Sequence, residues 1–125
     1  MNRTQMLKGI LEGCVLKLLE DKELYSQEIV MHLKEHGFDE MSEGTLYPML
    51  LRLEKEELFS TRKMDTRIGP SRKYYALSDK GRLELAEFLR QWQDFKESVD
   101  GIMNGKEPEK DGCMAYRNGN EEGEQ

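Results

Sequence analysis

The chain has 125 residues, with 19 basic against 25 acidic side chains and a formal net charge of −6, which leaves room for one domain-sized hydrophobic core. Charged residues make up 35% and apolar residues 37%, a balance too polar for a membrane protein and, over residues 7–102, too apolar for a disordered chain. No stretch approaches the roughly 18 consecutive apolar residues of a membrane span, the N-terminus does not read as a signal peptide, and two cysteines make no disulfide framework. A cytoplasmic protein is expected, and the acidic total taken alone argues against nucleic acid as a partner.

Leu7, Ile10, Leu11, Cys14, Val15, Leu18 and Leu19 recur every three or four residues, which predicts a core helix. Asp21-Lys22-Glu23 interrupts the pattern, and Ser26 offers a cap to a second helix with inner face Ile29, Val30 and Leu33 and a stop at Gly37. A third helix is predicted from Ser42, with Glu43 in its first turn and Leu46, Met49, Leu50 and Leu53 inward. The short link between the second and third helices is the layout of a helix-turn-helix. Pro48 lies inside the third helix and lacks the donor for Gly44, at a cost of roughly 3 kcal/mol in a helix interior. Either the first turn is irregular and the helix proper starts later, or the position is functional.

Two β-prone runs, Leu58 to Met64 and Ser71 to Leu77, flank Gly69-Pro70 and predict a hairpin with a loop of about six residues. Ser78-Asp79 caps a fourth and longest helix, on which Leu85, Phe88, Trp92, Phe95, Val99 and Ile102 form one seam. The expected fold class is mainly α with a small β-hairpin: a winged helix-turn-helix over 1–78, a long C-terminal dimerisation helix over 79–103, and a disordered acidic tail over 104–125. The seam exceeds what a core of this size covers, so a homodimer is expected; packing within the chain is the alternative.

Charge is unevenly spread. Residues 60–82 hold seven bases and two acids, whereas residues 104–125 hold six acids and three bases. The locally cationic segment coincides with the predicted wing. An α-helix fits the major groove of B-form DNA, and a basic, flexible wing suits phosphates or a narrow minor groove. The residues expected to meet double-stranded DNA are Ser42, Thr45, Tyr47, Pro48 and Arg52 from the third helix and Arg67, Gly69, Arg72 and Lys73 from the wing. The same charges also suit a solvated hairpin on a protein-interaction domain that binds no DNA.

An enzyme is not expected, nor a cofactor or metal. His32 and His36 have metal-ligand spacing, with Glu35 between them, but no third ligand accompanies them. Cys14 reads as a small core residue and Cys113 as an exposed tail thiol. No P-loop or dinucleotide-binding glycine motif is present.

Ser42-Glu43-Gly44-Thr45-Leu46-Tyr47-Pro48 resembles the recognition-helix signature of the PadR family of bacterial transcription regulators. Leu50 to Leu58 resembles that family's "LxxLEKxGL" stretch, and Gly69 to Gly81 resembles its wing and the start of its last helix. The similarity spans about residues 5–103, and the single C-terminal helix resembles the short subfamily. It departs at Tyr25-Ser26-Gln27-Glu28-Ile29, where the family often has Tyr-Gly-Tyr-Glu-Ile. The resemblance implies a dimeric repressor of a palindromic operator, with Thr45, Tyr47, Arg52, Gly69, Arg72 and Lys73 at the DNA and Pro48 as part of the family pattern. It also implies a planar aromatic ligand stacked on Trp92; a tryptophan serving only as a dimer anchor is the alternative.

Overall fold

Helices form where apolar residues repeat at helical spacing, and the described residues of the computed structural model are Leu7 and 9–105. The helices are α1 Leu11–Leu18, α2 Ser26–Glu35, α3 Glu43–Lys55 and α4 Asp79–Met103. Gly9 and Ile10 form a turn, with the Ile10 N–H donating to Leu7 O at 2.9 Å. The described regular helix α1 thus starts later than the apolar spacing suggests, consistent with the low helix propensity of glycine. The chain divides into two compact units, Met1–Leu89 and Arg90–Gln125. Most of the expected acidic tail, with Cys113, lies outside the described residues.

The sheet has three strands, not the two of a simple hairpin. β1 Leu24–Tyr25, β2 Phe59–Met64 and β3 Arg72–Leu77 pair antiparallel in the order β1-β3-β2. Leu24 pairs with Tyr75 and Tyr25 with Tyr74, while Phe59 to Met64 pair with Leu77 to Arg72. Two residues are too short a run to show a period of two, so β1 has no signal of its own in the sequence. On β3 the alternation is clear: Tyr75 and Leu77 are buried, while Tyr74 before them and Ala76 between them are only partly covered.

β1 also changes how α2 begins. Because Tyr25 is held extended by its pairing, the helix starts at Ser26, which is therefore its first residue and not its cap. The Tyr25 N–H donates to Glu28 Oε1 at 3.1 Å, a reach-back that satisfies one of the donors a helix start leaves open. The Ser26 hydroxyl is released for a different partner, Glu43 on α3.

α2 and α3 end in the same way. Gly37 N–H donates to Lys34 O at 2.9 Å and Phe38 N–H to Leu33 O at 3.0 Å; Glu57 N–H donates to Glu54 O at 2.9 Å and Leu58 N–H to Leu53 O at 3.0 Å. Both are Schellman stops, which require a left-handed residue. Gly37 has φ +97°, and Glu57 takes the same region at φ 67°.

The core of the first unit joins all these elements. Val15, Ile29, Leu46, Leu50, Leu53, Tyr75 and Leu85 are each at most 2% exposed, and each buried aliphatic side chain contributes about 1.5–3 kcal/mol. Two glycines set the closest approaches. A Cβ on Gly81 would lie 2.2 Å from Leu58 O, and one on Gly13 would lie 2.2 Å from the Phe88 ring. Ser78 fastens the same corner: its Oγ accepts the Gly81 N–H at 2.9 Å, and its hydroxyl donates to Glu57 O at 2.7 Å. The recognition helix, the wing root and the start of α4 are thereby fixed to one another.

In the second unit α4 continues to Met103, and Gly105, with φ 69°, follows its end.

Candidate nucleic-acid interface

α3 presents its polar face because its apolar one is fully used. Leu46, Leu50 and Leu53 are 0% exposed, whereas Ser42, Thr45, Tyr47, Pro48 and Arg52 are exposed. Ser42 is the N-cap: its Oγ accepts the Thr45 N–H at 3.2 Å and lies 3.1 Å from Thr45 Oγ1. The helix runs through Pro48 without interruption, so its first turn is regular. Gly44 and Pro48 both lie on the exposed side, where water can satisfy the carbonyl that Pro48 leaves without a donor.

The wing loop, residues 65–71, is built and not merely long. Thr66 Oγ1 lies 2.8 Å from Ile68 O, 3.1 Å from Pro70 O and 3.2 Å from Gly69 O, and shares its proton among them. Gly69 adopts φ +89° with open space where a Cβ would point, which lets the turn approach a backbone closely. Arg67 and Ile68 are exposed beside it.

Between α3 and the wing lies a cleft of about 430 Å³, whose walls include Tyr47, Arg72 and Lys73 together with Tyr25, Ser26 and Glu43. Tyr47, Arg72 and Lys73, distant in the chain, are thus brought to one place. Tyr25 and Ser26 are the additions. The aromatic at the start of α2 was visible in the sequence, but its position under the wing depends on the β1–β3 pairing. Arg72 lies over the Tyr25 ring at 4.5 Å, Tyr25 meets Tyr74 edge-on at 5.4 Å between centroids, and Arg62 lies over Tyr74 at 5.4 Å. These stacks hold the root of the wing.

The cations are not equally available. Arg62 forms a fork with Glu23, its Nε and NH2 both at 2.8 Å from carboxylate oxygens, and this hydrogen bond holds the Glu23 carboxyl below its usual range. Lys73 Nζ is 2.5 Å from Glu54 Oε1, and that bond raises the lysine's affinity for its proton. Arg52, expected at the DNA, is the most heavily paired of the cations. Its guanidinium is engaged by Glu12 of α1 and by Glu56 at 3.5 Å, and it is not among the residues lining the cleft. Its neighbours on the helix surface are acids, and in this arrangement it ties α3 to α1.

The expected dimer seam divides. Leu85 is 2% exposed within the core of its own chain, and Phe88 packs on Gly13; Leu85 is therefore already covered and has almost no surface left for a partner. In the second unit Trp92 is half-buried, and Phe95, Val99 and Ile102 are exposed, Phe95 at 62% and Ile102 at 75%. Elsewhere, His36 Nδ1 lies 2.8 Å from His32 O and His32 Nδ1 lies 3.5 Å from Glu35. Among the described residues no three metal-ligating side chains converge. The Cys14 thiol packs against the core and is pushed up by burial. No helix among the described residues is long and apolar enough to cross a membrane.

Residues 15–87 match the family model described as the transcriptional regulator PadR-like family. The chain is 32% identical, over 86% of its length and the whole of the relative, to a protein of Lysinibacillus sphaericus described only as uncharacterized. It is also similar to a solved PadR-like transcriptional regulator of Bacillus cereus, with 42% identity, a TM-score of 0.74, and 82% of this chain and 99% of that one covered. Bacillus subtilis PadR, solved in complex with operator DNA, matches with 28% identity and a TM-score of 0.59 over 66% of this chain and 48% of that one. A helix-turn-helix with a three-stranded wing and a long last helix, matched over residues 15–87, places this chain in the PadR-like family of transcriptional regulators.

Proposed function

We propose that this regulator is a repressor that binds a palindromic operator as a homodimer, with α3 in the major groove and the wing on the flanking phosphates and minor groove. The observation that carries the reading is the cleft between α3 and the wing, where Tyr47, Arg72 and Lys73 converge. The relative solved with operator DNA supports the same partner. Ser42, Thr45 and Pro48 lie on the exposed face of the same helix, and Arg67 and Gly69 on the wing loop. The N-terminal residues of a recognition helix reach base edges, and basic side chains at a wing meet the backbone.

The exposed Phe95, Val99 and Ile102 supply an apolar stripe for a second copy of the chain. A two-fold dimer would set two recognition helices about one turn of DNA apart. Trp92, half-buried on the same helix, offers a ring face for a planar aromatic ligand that releases the operator by favouring another dimer geometry. The expected location is the cytoplasm, where the DNA is.

The test is selection of bound duplexes from a randomised library, followed by a salt series on the selected sequence. A palindromic consensus, lost in Tyr47→Ala and in the double variant Arg72→Ala, Lys73→Ala, is the expected result, with log K falling linearly against log salt. Failure of the wild-type protein to enrich any sequence at low salt would overturn the reading in favour of a protein-interaction domain.

A further inference from the structure

The acids around the interface fall into two kinds. Glu12, Glu23 and Glu54 are each paired with a cation, Arg52, Arg62 and Lys73 respectively. Glu43 is different. It lines the cleft beside Tyr47 and Arg72, and the partner the structure gives it is a neutral hydroxyl, Ser26 Oγ, which donates to Glu43 Oε1 at 2.8 Å. Its charge is therefore not neutralised by that contact, although it stands on the face that would approach phosphates. A helix N-terminus favours an acid in the first turn, which accounts for the charge but not for a hydroxyl on another helix that fixes the side chain's direction.

An ionised carboxylate only accepts hydrogen bonds, at two oxygens with about four lone-pair sites. Ser26 occupies one and leaves the others open to the cleft. In the major groove the only base donors are the amino groups of cytosine and adenine. Adenine presents its N7 acceptor beside that amino group, which repels a carboxylate, whereas the cytosine edge carries only the donor. We infer that Glu43 is a specificity-determining residue that accepts a hydrogen bond from a cytosine amino group in the operator, with Ser26 as its positioning residue. The inference rests on the DNA-binding reading above. It adds a contact that works against raw affinity and in favour of discrimination, since a carboxylate near phosphates weakens every DNA complex and is compensated only at the right base.

The experiment is selection from a randomised duplex library with the full chain as wild type, Glu43→Ala and Ser26→Ala, followed by titration of the selected duplex, its single-base variants and an unselected duplex. The wild type should fix a cytosine at one position of each half-site. Glu43→Ala should lose that preference by about fivefold or more, while binding the unselected duplex as tightly as wild type or more tightly. Ser26→Ala keeps the charge, so it should lose part of the preference, its affinity falling more on the selected duplex than on the unselected one. A purely structural role would instead weaken selected and unselected duplexes in parallel, and that result, or an unchanged consensus in Glu43→Ala, overturns the inference. Should Glu43→Ala fail to fold, Ser26→Ala decides alone: an unchanged consensus and unchanged base preference sink the proposal. If the wild type enriches nothing, the DNA reading itself has failed, which is a distinguishable outcome.

Discussion

Glu57 occupies the left-handed position of the Schellman stop that ends the recognition helix, at φ 67°. The family stretch that Leu50 to Leu58 resembles has glycine there. Glu57→Gly should therefore stabilise the protein, and the structure sets the size. A non-glycine residue in this region costs roughly 1–2 kcal/mol. Glycine returns about 0.5–1 kcal/mol of that through the greater freedom of the unfolded chain. Removing an acid from the end of a helix adds a few tenths, about 0.3 kcal/mol or more at low salt. The net is about 1 kcal/mol, or roughly 4–8 °C in Tm for a folded region of this size. Gly37, at the equivalent position of α2 with φ +97°, is the internal control, because Gly37→Ala should move Tm the other way. Thermal unfolding followed by circular dichroism, at one protein concentration to hold any dimer linkage fixed, measures both. A Glu57→Gly variant with unchanged or lower Tm would refute the reasoning, because it would mean that the backbone at 57 is not held in the strained region.

Glu54→Gln should free Lys73 from its 2.5 Å partner and tighten binding to unselected DNA; the slope of log K against log salt should steepen by about 0.9 if one more phosphate is neutralised, and an unchanged slope would show that Lys73 is not masked. The same pair gives a pH dependence. Because Glu54 raises the Lys73 pKa above its unfolded value, the pair's contribution is fully present below the unfolded pKa and is lost as pH rises through the folded one; the urea midpoint of wild type should exceed that of Glu54→Gln near pH 9 and converge with it in strong alkali. Gly13→Ala would put a methyl into the Phe88 ring and should cost about 1–3 kcal/mol, but distinctly less in a Phe88→Ala background. Strict additivity in that double-mutant cycle would mean that the ring lies elsewhere.

The net charge of −6 is a poor guide to the interface because it sums charges that act locally. Residues 60–82 are net basic, yet the structure neutralises part of that excess with acids from other segments: Glu23 takes Arg62 and Glu54 takes Lys73. Fewer of these bases are unpaired than their count implies, and in the proposed complex Lys73 would have to give up Glu54 before it could meet a phosphate. Non-specific affinity should accordingly be modest, with discrimination left to the recognition helix.

Most of the architecture was legible before any coordinates. Apolar spacing placed α2, α3 and α4, Ser42 and Ser78 marked two helix starts, and Gly69-Pro70 marked the wing turn, because each of these signals acts over a few residues of contiguous chain. The residues with distant partners were not legible. β1 is too short to show a pattern and exists only because β3 lies beside it; Ser26 serves Glu43 because that strand shifts the helix start; Arg52 turns to Glu12, forty positions away. Leu85, read as an interface residue, belongs to the core for the same reason. The sequence by itself determined which segments become the helices, the two long strands and the wing turn, and which family the chain belongs to. Only the tertiary structure decided which charges are paired, which apolar positions of α4 are already covered, and that Glu43 and Arg72 share one cleft, because those outcomes depend on contacts between side chains that no local pattern encodes.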